Sequence, residues 1–265
     1  KKGKIKRKNE IAEKEENMEH RYKDPKELIG VEFEESGQIY KITGIGEITE
    51  EFMTLFTEKV KEEIINWNGK VLIDVGHGGT KTTSSGKKYR DYGAVNEKSK
   101  VDEFTWNHDF VMRYLIPELN ASGIANKVVL RSTNITKLVT DLNKEAGKDD
   151  IILSFHLNSD IKASGTETLY WHTSEKGKKL AGLIQKGLVG VLGLPDRGIK
   201  IRRKPLDNAD SLNQRGWTMF KDTKVPFVML ESFFITNDED LKRGNEKKAE
   251  LAKAVVSVIK EYIKG

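Results

Sequence analysis

The chain has 265 residues, with 46 Lys and Arg against 41 Asp and Glu, a net charge of +5 at pH 7. It has no cysteine, which excludes disulfides and thiolate metal ligands, so any metal must be held by His and carboxylate. No stretch approaches the roughly 18–20 consecutive apolar residues of a membrane span. No basic run carries interleaved aromatics, which argues against nucleic acid as a partner. The modest positive charge favours anionic surroundings of another kind.

Lys1 to about Glu27 is densely charged and reads as a solvated helix, stalk or linker, broken by Pro25. Lys1–Glu10 is basic but no apolar run follows it, so it is not expected to be a signal peptide. Val31–Glu35 and Ile39–Thr43 flank Ser36–Gly37–Gln38 and predict a β-hairpin. Thr49 is placed to cap a helix running to about Asn66, with Phe52, Leu55, Phe56, Val60 and Ile64 on one face. Residues 1–68 are therefore expected to form an accessory piece, and residues 69–265 a separate domain.

From Lys70 strands and helices alternate. Val71–Val75 is a short apolar strand, followed by a Gly- and hydroxyl-rich loop to about Gly93, with Thr80–Arg90 expected to wall a cleft. A helix is predicted from about Glu103 to Leu119, a strand at Lys127–Leu130, and a helix over Lys137–Ala146. Strands follow at Ile151–Phe155 and Thr166–Trp171, then a helix from Ser174 to Leu192 with Gly193 past its end. Gly198–Arg203 reads as a short strand or extended loop, Leu212–Lys221 as helix, and Pro226–Leu230 as the last strand. Asn237–Asp240 opens a C-terminal helix that turns Leu251, Ala252, Val255, Val256 and Ile259 inward. This order predicts an α/β fold with a mostly parallel twisted sheet flanked by helices, plus a small N-terminal appendage.

Three of the apolar runs end in a residue capable of metal or acid–base chemistry: His77, His156 and Glu231. Ligands of open α/β sheets sit beyond the carboxyl ends of the strands, so these three side chains are expected to converge. Two imidazoles and a carboxylate are donors of the kind that catalytic zinc sites use.

The chain resembles the zinc-dependent N-acetylmuramoyl-L-alanine amidases, which cleave peptidoglycan in bacteria and their phages. The motifs are Asp74–Val75–Gly76–His77–Gly78–Gly79, the step Gly93–Ala94, Ser154–Phe155–His156–Leu157–Asn158, the loop Gly198–Ile199–Lys200, and Leu230–Glu231–Ser232–Phe233–Phe234–Ile235–Thr236–Asn237. The resemblance covers about Lys70 to the C-terminus. It implies one catalytic zinc ion held by His77, His156 and a glutamate that opens the first helix, with an asparagine four residues later. Glu103 and Asn107 have that spacing; Glu97 is the rival. It also implies that Glu231 is the general base, that Asn158 shapes the loop after His156 or contacts substrate, and that peptidoglycan is the substrate, met at the cell wall. The absence of a leader and of a membrane span fits a phage lysin or particle-borne lytic enzyme, with residues 1–68 as a candidate assembly arm. The other reading is a non-catalytic wall-binding or phage structural protein on the same scaffold. Asp74 is a candidate to orient His77 or a buried turn carboxylate. Trp106, Trp171 and Trp217 are candidates for sugar stacking or for the core.

Overall fold

The computed structural model describes residues 29–33, 40–44, 67–206 and 216–264. The chain divides into two units, Lys1–Ile64 and Ile65–Gly265. In the first unit, strands β1 (Ile29–Phe33) and β2 (Tyr40–Gly44) pair antiparallel with Val31 opposite Ile42, which is the expected hairpin. The expected charged stalk and the helix from Thr49 to Asn66 lie outside the described residues.

The second unit is built on a six-stranded sheet. Its strands are β3 (Val71–Val75), β6 (Asn126–Val128), β7 (Ile151–Asn158), β8 (Thr166–Trp171), β9 (Asp196–Arg202) and β10 (Phe227–Phe234), in the order β6-β3-β7-β10-β8-β9. Only β10 and β8 run antiparallel to each other; the remaining neighbours are parallel. The sheet is therefore mostly parallel, as the alternation of elements predicts.

Side chains alternate across the sheet, and two cores result. Val71, Ile73, Val75, Leu153, Phe155 and Leu230 face one layer of helices: α1 (Glu103–Phe110), α4 (Glu175–Leu192) and α7 (Lys248–Lys264). Leu72, Ile152, Leu169 and Met229 face the other, α3 (Ile135–Glu145) and α5 (Trp217–Asp222). Burial on both faces is why these strands read as unbroken apolar runs rather than alternating ones.

Several local departures from expectation have physical causes. The helix expected over Glu103–Leu119 is interrupted: α1 passes through a π-helical stretch (Val111–Leu115) into α2 (Ile116–Ala121). Pro117 lies just beyond the stretch. Its ring and missing N–H disfavour regular bonding to the carbonyl four residues back, and widening the preceding turn relieves this. The Thr80–Arg90 segment is a small antiparallel hairpin, β4 (Thr80–Thr82) with β5 (Lys88–Arg90), rather than an irregular loop. The C-terminal helix is two helices, α6 (Asp238–Glu246) and α7, joined at Lys247, which leaves helical geometry with φ −111° and ψ 13°. Trp106 is buried between Phe110 and Phe233 and donates its indole N–H to Asn245, so it belongs to the core and not to a sugar platform.

Leu153 in the central strand is fully enclosed. Leu153→Ala is expected to lower unfolding stability by about 2–5 kcal/mol with little change in the denaturant slope. Urea unfolding of the two proteins measures this directly.

Candidate metal and catalytic site

The strands β3, β7 and β10 place their carboxyl ends side by side. Strand β7 runs beyond Phe155 to Asn158 because its parallel ladder with β10 continues, pairing His156 with Glu231. His156 is thus inside the strand and faces the α3 and α5 layer, like Ile152 and Ser154 four and two residues earlier. Glu231 also lies within its strand, on the same face.

His77 follows β3 in the turn Gly76–His77–Gly78. Its own φ is +68°, a left-handed conformation that costs a non-glycine residue about 1–3 kcal/mol. The side chain is held in place: Nδ1 lies 3.0 Å from Asp91 Oδ2, and Nε2 lies 3.2 Å from Glu103 Oε2. Asp91 also pairs with Arg131 at 2.6 Å and Lys81 at 2.8 Å. Burial works against its charge, yet the bonds from Lys81 and His77 hold its pKa down to about 2. Asp74, a candidate either to orient His77 or to be a buried carboxylate, is the latter: it accepts from Ser154 Oγ at 2.6 Å across the β3–β7 ladder, and burial raises its pKa. A residue directly in a strand points into the sheet's face, whereas Asp91 on the hairpin's return can approach His77 from the side.

Glu103 begins α1, behind the N-cap Asp102, whose side chain accepts from the Thr105 N–H. The loop leading to it is pinned by Asn96, whose Nδ2 donates to the Ile235 carbonyl and to Asp238. Both oxygens of Glu103 are engaged. Oε1 meets His156 Nδ1 at 3.0 Å and the Leu157 N–H at 3.0 Å; Oε2 meets His77 Nε2 at 3.2 Å and the Ala94 N–H at 3.1 Å. Burial opposes its charge, but the bonds from both histidines hold its pKa well below the usual carboxylate range. Burial would likewise lower the pKa of His156, but the Glu103 bond raises it to about 9.

Donor atoms of His77, Glu103 and His156 lie within 4.8 Å of one another, a set able to hold one divalent cation. Glycine makes the closeness feasible: a Cβ on Gly76 would stand 2.5 Å from the His156 ring, and one on Gly93 (φ +76°) 2.6 Å from Glu103 Oε2. Glu97 takes no part in the cluster; it is exposed and pairs with Lys100 at 2.8 Å.

These residues line a cavity of about 470 Å³ together with Asp74, Arg131, Asn158, Arg202, Met219, Met229 and Glu231. Asn158 donates through Nδ2 to Glu167 and accepts the Ser159 N–H, so its amide braces the β7 terminus while facing the cavity. Glu231 Oε2 is enclosed with no hydrogen-bond partner among the described residues. Burial pushes its pKa up to about 8, with Glu103 and Glu167 adding to the rise and His156 and Arg202 opposing it. Asp91 and Glu167 escape sequence reasoning as site residues. For Asp91 a signal exists, a carboxylate two residues before Gly93–Ala94; Glu167 is recognisable only once the register sets it opposite Glu231.

The sequence model of the N-acetylmuramoyl-L-alanine amidase family matches residues 71–261. Two Bacillus subtilis (strain 168) proteins are 30% identical to the chain. One is the uncharacterized protein YqiI, matched over 199 residues that make up 72% of this chain and 84% of YqiI. The other is N-acetylmuramoyl-L-alanine amidase LytC, matched over 178 residues, 65% of this chain and 31% of LytC, so the chain spans about a third of that protein. Among solved structures, the catalytic domain of CwlV, the N-acetylmuramoyl-L-alanine amidase of Bacillus (Paenibacillus) polymyxa var. colistinus, superimposes with a TM-score of 0.55 at 26% identity, covering 74% of this chain and 98% of CwlV's. The catalytic domain of the CD27L endolysin targeting Clostridia difficile shares the fold, with a TM-score of 0.56 at 22% identity over 72% of this chain and 97% of that one. The match across most of the folded unit, over strands that bring two histidines and two glutamates to one cleft, makes this chain a member of the N-acetylmuramoyl-L-alanine amidase family, the enzymes that hydrolyse peptidoglycan.

Proposed function

We propose that His77, Glu103 and His156 hold a single zinc ion and that Glu231 is the general base for cleavage of the amide between N-acetylmuramic acid and L-alanine. The observation that carries this reading is the meeting of three donors of zinc-binding type beside Glu231, whose Oε2 is enclosed with no hydrogen-bond partner among the described residues. Two neutral imidazoles and one carboxylate fit the donor set of catalytic zinc, which leaves a position open to substrate or water. A zinc ion held by these residues would supply Lewis acidity at the scissile carbonyl and would lower the pKa of water to about 7.

The protein's own residues supply the rest. Glu231 accepts the proton of the attacking water and passes it to the departing alanine nitrogen. Its raised proton affinity suits a group that must hold that proton between the two transfers. Asp91, backed by Arg131 and Lys81, fixes the ring of His77 through Nδ1, leaving Nε2 directed to the cluster. Met219 and Met229 supply apolar wall to the cleft. Asn158 is assigned to the substrate side because it lines that same cavity. The catalytic domain is taken as residues 69–265 and residues 1–68 as accessory, an assembly or attachment arm whose charge-rich start supports such a use. The enzyme would act at the cell wall, and no helix among the described residues is long and apolar enough to cross a membrane.

Chelation is expected to abolish the release of alanine amino termini from purified peptidoglycan, and zinc to restore it; persistence of activity without metal contradicts the proposal. Glu231→Ala should reduce turnover by at least roughly 10²-fold while zinc content stays the same. Loss of zinc in that variant would make Glu231 a ligand instead. For Gly76→Ala, the Cβ intrusion on His156 predicts at least a roughly tenfold weaker zinc affinity by chelator competition.

Proton release gives a further check. Without metal, Glu103 keeps His156 protonated up to about pH 9. Metal needs the neutral ring. Zinc binding at pH 7 should therefore release about one proton from this histidine, and affinity should rise between pH 7 and 9. Calorimetry in buffers of different ionisation enthalpy reads the proton count.

A further inference from the structure

Arg202 stands apart from the other cations of the cleft. It ends β9 and pairs in register with Trp171, four residues along β8 from Glu167, which in turn pairs with Glu231. The even spacing puts Arg202 on the same sheet face as Glu231, and both line the cavity that holds the candidate metal ligands. Arg131 is committed to Asp91 at 2.6 Å and Arg197 to Glu167 at 2.9 Å. Arg202 has no ion pair among the described residues. Its Nε is enclosed without an acceptor among them, and Nη1 reaches only the carbonyl of its neighbour Ile201 at 3.4 Å. Glu231 and Glu167 act on it through space without bonding it.

A half-buried guanidinium with unfilled donors carries a desolvation cost that an anion in the cleft would offset. Its planar fork matches a carboxylate bidentately. The chemistry of the bond to be cut says which side of the substrate supplies that carboxylate. The lactyl carboxyl of the muramic acid is consumed in the amide, so the N-acetylated sugar is neutral. Acidic groups remain only on the peptide that begins with L-alanine. We infer that Arg202 is a specificity-determining residue that binds a carboxylate of the peptide on the alanine side of the scissile amide. The inference rests on the amidase reading above and extends it to the substrate class preferred by this chain.

The test compares two synthetic substrates, N-acetylmuramoyl-L-alanyl-glutamate and the same compound with both carboxyls amidated. The zinc-loaded full chain should favour the acid in kcat/KM by roughly ten- to a hundredfold, the loss expected for one charge-assisted bidentate contact. Arg202→Ala should bring that ratio to within about threefold of unity, and Arg202→Lys should leave an intermediate ratio because it keeps the charge but not the fork. A ratio taken within one protein cancels general losses of folding or zinc. Arg202→Ala with the wild-type ratio, or a wild type indifferent to amidation, overturns the inference. Binding of the product L-alanyl-glutamate to the full chain by calorimetry should weaken by the same factor in Arg202→Ala, and equal affinities would also overturn it. If neither muramoyl compound is cleaved, the amidase mechanism fails, while the calorimetric comparison still decides the role of Arg202.

Discussion

The carboxylate of Glu103 is the constraint on which the site depends. It is almost wholly buried, so it must be satisfied from every side. Two backbone N–H groups and, without metal, two imidazoles do so, drawn from the turn after β3, the Gly93–Ala94 step, and strand β7. One charged group thereby fixes the positions of three segments far apart in sequence. Asp91 repeats the device one layer out, gathering His77, Lys81 and Arg131 around a single oxygen. Together the two carboxylates hold the ring of His77, while backbone bonds from Gly76 to Phe155 and from Gly78 to Asp91 fix its left-handed turn.

Chemistry follows from the contrast between Glu103 and Glu231. Both are buried glutamates on one cleft, yet their environments drive their proton affinities in opposite directions. Glu103 sits among donors and stays ionised. Glu231 has an oxygen with no partner among the described residues and two carboxylates nearby, and its pKa climbs to about 8. On the proposed reading, such divergence between neighbouring carboxyls separates Glu103, the candidate cation ligand, from Glu231, the candidate proton carrier. The strand register creates it: pairing His156 with Glu231, and Glu231 with Glu167, sets three titratable side chains in a row across the sheet.

Much of this was legible in the sequence because the strands are buried on both faces. Val71–Val75, Ile151–Phe155 and Phe227–Leu230 stand out as apolar runs, and the polar residue after each run marks where the sheet meets the cleft. The run of elements set a helix start at about Glu103, and the resemblance to the family singled out that glutamate; the structure begins α1 there. What periodicity could not supply was register and close approach. Strands β7 and β10 continue past their apolar stretches because their partners continue, which a single strand's composition does not reveal. Asp91 stands beside His77 because the β4–β5 hairpin folds back, a tertiary fact hidden in a run of Thr, Ser, Gly and Lys. The π-helical turn before Pro117 is likewise a compromise between a proline and a helix that packing keeps continuous.

The central claim is that His77, Glu103 and His156 share one ion. Anomalous diffraction at the zinc edge from crystals grown with zinc tests it most directly. The account predicts one strong peak bonded at about 2.0–2.2 Å to a ring nitrogen of each histidine and to a Glu103 oxygen. A peak bound elsewhere, or none in this cleft at saturating zinc, would contradict it.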